Sequence, residues 1–126
     1  MIRHALAAAA MIAVAPAYAA EARDFTQAEF SAAQAANRPV LVDVAAWWCP
    51  VCASQGRTIK AVTAASQYKN LLILRVNYDK QKDVWRGLGA SKQGTLIAYR
   101  GKQETGRLAF QTDKTQIANL IATTVR

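Results

Sequence analysis

The chain has few of the residues that build metal sites and cross-linked scaffolds. Its 126 residues include one histidine, His4, and two cysteines, Cys49 and Cys52. A closed zinc site takes about four nitrogen or sulfur ligands, and a disulfide-stabilised scaffold takes several cysteine pairs. The composition therefore argues against a zinc site within one chain and against a multiply cross-linked scaffold. A metal or cluster shared between two chains stays open.

Long apolar runs are also scarce, and the clearest one lies at the N-terminus. It covers residues 5–15 and is shorter than the ~20 apolar residues that a membrane-spanning helix needs. The tripeptide Ala17-Tyr18-Ala19 follows, which places small residues at the two positions that a signal peptidase recognises. The pattern predicts a secretory signal peptide over residues 1–19, with a membrane anchor as the alternative.

Cleavage after Ala19 would leave one exported domain over residues 20–126, which is long enough for a single hydrophobic core. His4 would leave with the leader, so the mature domain would have no imidazole. The sequence pattern of the leader favours export to the bacterial periplasm. Since no later stretch is long and apolar enough to span a bilayer, we expect no stable membrane insertion.

Negative charge is in short supply, with 8 acidic against 16 basic residues and a formal net charge of +8. The basic residues are scattered and are not interleaved with aromatic residues in the way that single-strand binders use. We therefore expect no nucleic-acid partner. A surface of this kind is either simply solvated or favours acidic partners and anionic lipid surfaces.

The two cysteines stand two residues apart in the stretch WWCPVC. A structural disulfide stabilises most when it closes a long loop, and a bridge from Cys49 to Cys52 closes almost none. Outside the cytosol, thiols tend to oxidise. The spacing therefore suits a disulfide that opens and closes better than a structural clip.

The hydrophobic pattern predicts the order α-β-α-β-α-β-β-α. A capping box of Thr26 and Glu29 marks the first helix, and Pro50 suits the first turn of the second. The predicted helices cover about residues 26–36, 50–68 and 83–88 and a stretch from 113 onward, and the predicted strands cover about 40–46, 71–78, 95–99 and 105–110. The cysteine motif then lies at the C-terminal end of the first strand, where open α/β sheets form their sites.

With this arrangement the chain resembles the thioredoxin family. The segments RPVLVDVAAWWCPVC, LRVNYD and GTLIAYRGK are similar to the family's central strand and motif, its next strand, and its terminal hairpin. Among relatives, it resembles small periplasmic members, such as the C-terminal domain of the transmembrane thiol-reductant conveyor and the thioredoxin-like proteins of cytochrome c maturation. The resemblance implies a three-layer α/β sandwich, with a central mixed sheet of about four strands and helices on both faces. The family's extra N-terminal strand is expected to be absent, because few residues precede Thr26.

The predicted catalytic residues are Cys49, Cys52 and Asp43. Cys49 begins a helix, where free N–H groups and the helix dipole stabilise a thiolate, so we expect it to attack substrates. Cys52 lies one turn further in and is expected to be less exposed and to resolve the mixed disulfide. Asp43 is an acid within an apolar strand, so burial should raise its pKa. The resemblance implies that Asp43 exchanges protons with Cys52.

The predicted substrate contacts surround this pair. They are Trp48, Pro50, Val51, Gly94 and Thr95. Trp47 would contact a partner if exposed and would be packing if buried. The family places a cis-proline where this chain has Gly94, and a cis bond before a non-proline residue is costly, so we expect a trans bond here. Glycine is expected to open space beside the sulfurs, which favours metal binding.

The residues and the resemblance together predict an exported thiol–disulfide oxidoreductase. In the family that the chain resembles, a histidine between the cysteines accompanies strong oxidants, so the resemblance implies a reductant rather than an oxidant. The expected partners are exported proteins with thiols or disulfides, and a membrane protein is a candidate electron donor. No cofactor besides the Cys49–Cys52 disulfide is expected. The alternative is a thioredoxin-fold protein that holds a metal or an iron–sulfur cluster through the same two thiolates.

Overall fold

The computed structural model describes residues 20–126 without interruption, together with residues 2, 5 and 7–12. The predicted cleavage site at residues 17–19 lies outside the described residues, so the boundary between leader and domain stays a prediction. No helix in the described part of the chain is both long enough and apolar enough to cross a membrane.

The domain contains five strands and four α-helices. The strands are β1 (Glu21–Asp24), β2 (Pro39–Ala45), β3 (Leu72–Asn77), β4 (Thr95–Arg100) and β5 (Gln103–Ala109), and the helices are α1 (Gln27–Ala35), α2 (Pro50–Thr63), α3 (Lys82–Gly87) and α4 (Lys114–Ala122). Thr26 caps α1, and its side chain accepts a hydrogen bond from the Glu29 N–H at 3.1 Å, as the capping box predicted. Helix α2 ends earlier than predicted, and a short 3₁₀ turn covers Ser66–Tyr68.

The strands form one mixed sheet in the order β1-β3-β2-β4-β5. Strands β1 and β2 pair with β3 in parallel, whereas β4 is antiparallel to both β2 and β5. The terminal hairpin that the resemblance implies is formed by β4 and β5. The three-layer α/β fold class is therefore confirmed.

The prediction that the N-terminal strand is absent is wrong. Strand β1 is four residues long and pairs in parallel with β3. Backbone hydrogen bonds bracket it, from the Glu21 N–H to the Leu71 carbonyl at 3.0 Å and from the Phe25 N–H to the Arg75 carbonyl at 2.8 Å. Its sequence is polar and its residues are mostly exposed, so hydrophobic alternation does not reveal it.

The core lies in two layers, one on each face of the sheet. On one face, side chains of α1 and α3, including Phe30 and Trp85, pack against Val42 of β2. On the other face, α2 and α4 contribute Ile59 and Ile117, which pack with Leu41 of β2. Because side chains alternate along a strand, Asp43 points to the same face as Leu41. The face that carries α2 therefore also carries the acid that precedes the motif.

Candidate redox-active site

The N-terminus of α2 positions both cysteines. Cys49 is the N-cap residue, and Pro50 occupies the first helical turn. The backbone N–H of Cys52 donates to the Cys49 sulfur at 3.1 Å. A helix N-terminus favours negative charge, so this contact supports a thiolate on Cys49 when the disulfide is open.

The structure joins Cys49 and Cys52 by a disulfide, with their Cα atoms 5.2 Å apart. This separation lies within the ~4.4–6.8 Å range of protein disulfides. The sequence-predicted pair is thus brought together at disulfide distance, and the bond closes only one turn of helix.

Burial does not distinguish the two cysteines in this oxidised form. Cys49 is 3% exposed and Cys52 is 5% exposed, so the expectation that Cys52 is the less exposed of the two is wrong here. Both pack against Ala46, which lies in the turn between β2 and α2. The two cysteines instead differ in the hydrogen bond that only the Cys49 sulfur accepts from the backbone.

Asp43 is buried in the middle of the sheet, and its carboxyl group is poorly solvated. The residue is 2% exposed, and its Oδ1 atom has no hydrogen-bond partner among the described residues. Its Oδ2 atom lies 3.7 Å from the Nε atom of Arg75, the neighbouring residue on β3. Burial raises the pKa of Asp43 to about 6, and the charge of Arg75 offsets only part of this rise. The predicted direction of the pKa shift is therefore confirmed.

A cavity of about 750 Å³ connects Asp43 with both cysteines. We call it the β3-side cavity. Its lining includes four basic side chains, those of Arg57, Lys60, Arg75 and Lys80. The cavity brings the carboxyl group and Cys52 to one space that water can enter. A proton can therefore pass between Cys52 and Asp43 through water rather than by direct contact.

The two tryptophans before the motif differ in their surroundings. The Trp48 indole N–H donates to an Asp79 carboxylate oxygen at 3.0 Å, and its ring contacts Tyr78 edge-on. Trp47 is 92% exposed, which answers the open question about its burial. Trp48 is therefore fixed beside the motif, whereas Trp47 presents its ring to solvent.

Gly94 lies beside the motif on the β4 side, in a loop with its backbone fully hydrogen-bonded. Its N–H donates to the Val44 carbonyl at 2.7 Å, and its carbonyl accepts from the Phe110 N–H and from the Gln55 side chain, each at 2.9 Å. As expected, the peptide bond before it is trans, like the other bonds among the described residues. Its φ angle is +76°, a left-handed conformation that glycine adopts without penalty.

The expectation that Gly94 opens space beside the sulfurs is wrong. A Cβ atom at this position would lie 3.2 Å from Phe110 Cδ2, 3.5 Å from Val51 Cγ1 and 3.6 Å from Gln55 Oε1. A Cβ atom would therefore press on the Phe110 ring and make ordinary contacts with Val51 and Gln55, so the space at position 94 is lined on several sides. The positive φ angle favours glycine here, and the Phe110 ring would have to shift by a few tenths of an ångström to admit a Cβ atom.

The remaining predicted contacts lie around this loop. Pro50 is exposed and Val51 is half-buried. Thr95 is buried, and its hydroxyl group donates to the Lys92 carbonyl at 2.7 Å. The Thr95 hydroxyl thus closes the loop before β4. That these residues contact substrate stays a prediction.

Two residues near the motif, Gln55 and Phe110, were missed by sequence reasoning. Gln55 is fully buried, and its amide nitrogen donates to the carbonyls of Gly94 and Gln111, each at 2.9 Å. It follows Cys52 by three residues and so lies on the same face of α2, which is a signal that the sequence does carry. Phe110 has a φ angle of +60°, which no local pattern indicates.

Comparison with known proteins agrees with this geometry. The family model described as "Thioredoxin" matches residues 21–123. The chain is 27% identical over 88 residues to thioredoxin of Ictalurus punctatus, covering 68% of this chain and 82% of that protein.

Solved structures give the same result. Trxlp from Edwardsiella tarda EIB202 is 37% identical, with a TM-score of 0.77 over 80% of this chain and 98% of that one. Thioredoxin NaTrxh from Nicotiana alata is 22% identical, with a TM-score of 0.72 over 85% of this chain and 93% of that one, and this likeness shows the fold alone. The family match and the cysteine pair at disulfide distance lead to one conclusion: the chain belongs to the thioredoxin family and is a thiol–disulfide oxidoreductase.

Proposed function

We propose that the protein is an exported reductant of disulfides in other exported proteins. The observation that carries the proposal is the Cys49–Cys52 disulfide at the start of α2, next to a buried carboxyl group with a raised pKa. No resident cofactor is needed, because the cysteine pair itself carries two electrons.

The reaction has two exchange steps. In the reduced protein, the Cys49 thiolate attacks one sulfur of the substrate disulfide, which forms a mixed disulfide and releases the other substrate sulfur as a thiolate. Cys52 then loses its proton and attacks the Cys49 sulfur, which releases the second substrate thiolate. One substrate disulfide is reduced to two thiols, and the Cys49–Cys52 dithiol is oxidised to the disulfide.

Asp43 is proposed to take the proton that Cys52 loses in the second step. A general base works best when its pKa lies near the working pH, and the pKa of Asp43 is raised to about 6. Asp43 and Cys52 both line the β3-side cavity, so a water molecule there is proposed as the link between them, whereas the unpartnered Oδ1 atom is itself buried away from solvent.

The direction of electron flow is inferred from the motif. Pro50 and Val51 place no charge between the sulfurs, and in this family a histidine there accompanies strong oxidants. Export rests on the leader pattern of residues 1–19, and a membrane protein is the proposed electron donor. A predominantly basic surface would favour acidic surfaces on these partners.

A redox titration of the domain over residues 20–126 tests the proposal. A potential near or below about −200 mV, together with reduction of a peptide disulfide, would support a reductant, whereas a potential near about −120 mV would indicate an oxidant. Tight uptake of Cu(I) or a cluster without disulfide exchange would favour the metal-binding alternative. Fractionation of cells and N-terminal sequencing of the mature protein test export separately.

A further inference from the structure

Phe110 has a backbone conformation that is unfavourable for its residue type. Among the described residues, only Phe110 and Asn37 are non-glycine residues with a positive φ angle, at +60° and +54°. Asparagine tolerates this region, whereas a bulky residue there is an outlier. Glycine at position 110 would adopt the same backbone without strain. Such strain persists where the surroundings hold it, and it is a reason to look for function.

The contacts of Phe110 fix its ring beside Gly94. Its N–H donates to the Gly94 carbonyl at 2.9 Å, and its Cδ2 atom would lie 3.2 Å from a Cβ atom at position 94. The Lys92 ammonium lies over the ring, 4.0 Å from its centroid. The residue is nevertheless 41% exposed. The ring is therefore held at the surface and does not serve mainly to fill the core.

The ring also borders the motif. Val51 lies between the two cysteines, and its Cγ1 atom would be 3.5 Å from the same Cβ position at residue 94. Phe110 and Val51 thus both lie close to the position that a Cβ atom of residue 94 would occupy. If substrate contacts Gly94, as the sequence predicts, the Phe110 ring lies beside that contact.

We propose that Phe110 is a specificity-determining residue, which narrows the β4 side of the site and favours disulfides whose cysteines are flanked by small residues. This inference rests on the proposed function and names its substrate class. A bulky residue beside the attacked cysteine must compete with the ring for the volume at Gly94, whereas glycine or alanine does not. The chemistry of the two exchange steps is unchanged.

The test is a single-turnover reaction with the reduced protein and no added electron donor. Two cyclic peptides of equal length are compared, with each cysteine flanked by glycine in one and by phenylalanine in the other. We expect the parent to reduce the glycine-flanked peptide roughly tenfold faster, within the range that a shape-restricted site achieves. In Phe110→Gly the ratio of the two rates should fall to about one, mainly because the phenylalanine-flanked peptide reacts faster.

Asn37→Gly is the matched control, because it relieves the other positive φ angle at a site remote from the motif, and its rate ratio should equal that of the parent. If Phe110→Gly does not fold, Phe110→Asn replaces it, because asparagine also tolerates this conformation. An unchanged ratio in a folded variant that still exchanges disulfides would overturn the inference. Failure of every protein to reduce either peptide would instead overturn the proposed function.

Discussion

The chemical groups that surround the cysteine pair differ between its two sides. On the β3 side, Asp43 and Arg75 lie next to a cavity with further basic side chains, and the Asp43 Oδ1 atom has no partner among the described residues. On the β4 side, both backbone polar groups of Gly94 are hydrogen-bonded, and its neighbouring side chains are the apolar Val51 and Phe110 and the uncharged Gln55, whose Oε1 atom also lacks a partner among the described residues.

We infer from this difference that the two sides of the cysteine pair have separate roles. A group that must gain and lose a proton needs spare hydrogen-bonding capacity, which the buried Asp43 Oδ1 atom has, and a nearby cavity that water can enter, which Asp43 lines on the β3 side. A surface that recognises a substrate needs a fixed shape, and the hydrogen bonds around Gly94 fix it. We therefore interpret the β3 side as the proton-handling side and the β4 side as the substrate-facing side.

The largest effect is expected at the cysteines, on which both sides depend. Cys49→Ala should abolish disulfide exchange, because it removes the sulfur that the helix N-terminus favours as a thiolate. Cys52→Ala should still attack substrates and should accumulate a mixed disulfide, which mass spectrometry of the intact protein would detect. Faster alkylation of Cys52 than of Cys49 at neutral pH in the reduced parent would reverse the two roles.

Gly94→Pro tests the rigidity of the β4 side. Proline cannot adopt the φ angle of +76° and has no N–H to donate to the Val44 carbonyl. We expect the free energy of unfolding to fall by roughly 3 kcal/mol, from the forced change of backbone and the lost hydrogen bond. Disulfide exchange should also slow, although the family has proline at this position.

Denaturant unfolding measures this effect, with Gly87→Ala as a control for replacing a glycine. Gly87 has no positive φ angle, and a Cβ atom added there would meet no neighbouring side chain within 4 Å, so Gly87→Ala should not destabilise. A Gly94→Pro protein as stable as the parent would mean that the loop can rearrange and that the β4 side is not rigid.

The Gly94 loop also shows where sequence reasoning stops. The motif, the strand before it and the lone acid in that strand are local patterns, and they were enough to place Cys49, Cys52 and Asp43. The left-handed conformations of Gly94 and Phe110 depend on contacts between segments far apart in the chain. The contact of Gln55 with Gly94 spans 39 residues, and no periodicity could indicate it.

The same limit explains the missed strand. β1 is short and polar, and it is held by backbone hydrogen bonds to β3 rather than by burial of its side chains. The prediction of absence relied on the small number of residues before Thr26, yet four residues were sufficient for pairing. Fold class was predictable because the long apolar strands and amphipathic helices determine it, whereas an edge strand depends on a neighbour.

Asp43→Asn tests the β3 side through its pH dependence. The pKa of Asp43 is raised from 3.8 to about 6, so the folded state binds a proton more tightly than the unfolded state. The parent therefore loses stability as the pH rises through this window, by about 3 kcal/mol in total. Asparagine cannot ionise, so the variant should match the parent near pH 3 and should be more stable by up to about 3 kcal/mol near pH 8.

The same variant should slow the second exchange step more than the first, because an amide cannot accept the proton from Cys52. We expect release of the mixed disulfide to slow by roughly tenfold to a hundredfold, at or below the low end of general acid–base effects. Quenched-flow experiments with oxidised peptide separate the two steps. Equal slowing of both steps would leave Asp43 with a structural role only.

The smallest change in the free energy of unfolding is expected for a substitution of Trp47. Its role in substrate recognition can therefore be tested without a large change in stability. Its ring is 92% exposed, so Trp47→Ser should change the free energy of unfolding by no more than about 0.5 kcal/mol. Trp48→Phe is the matched comparison, because it removes the hydrogen bond to Asp79 and should lower the free energy of unfolding by about 1 kcal/mol.

If the Trp47 ring contacts partners, Trp47→Ser should slow reduction of a folded protein disulfide but not of a small cyclic peptide. Equal rates with both substrates in variant and parent would exclude Trp47 from recognition and would confine the substrate-facing surface to the β4 side.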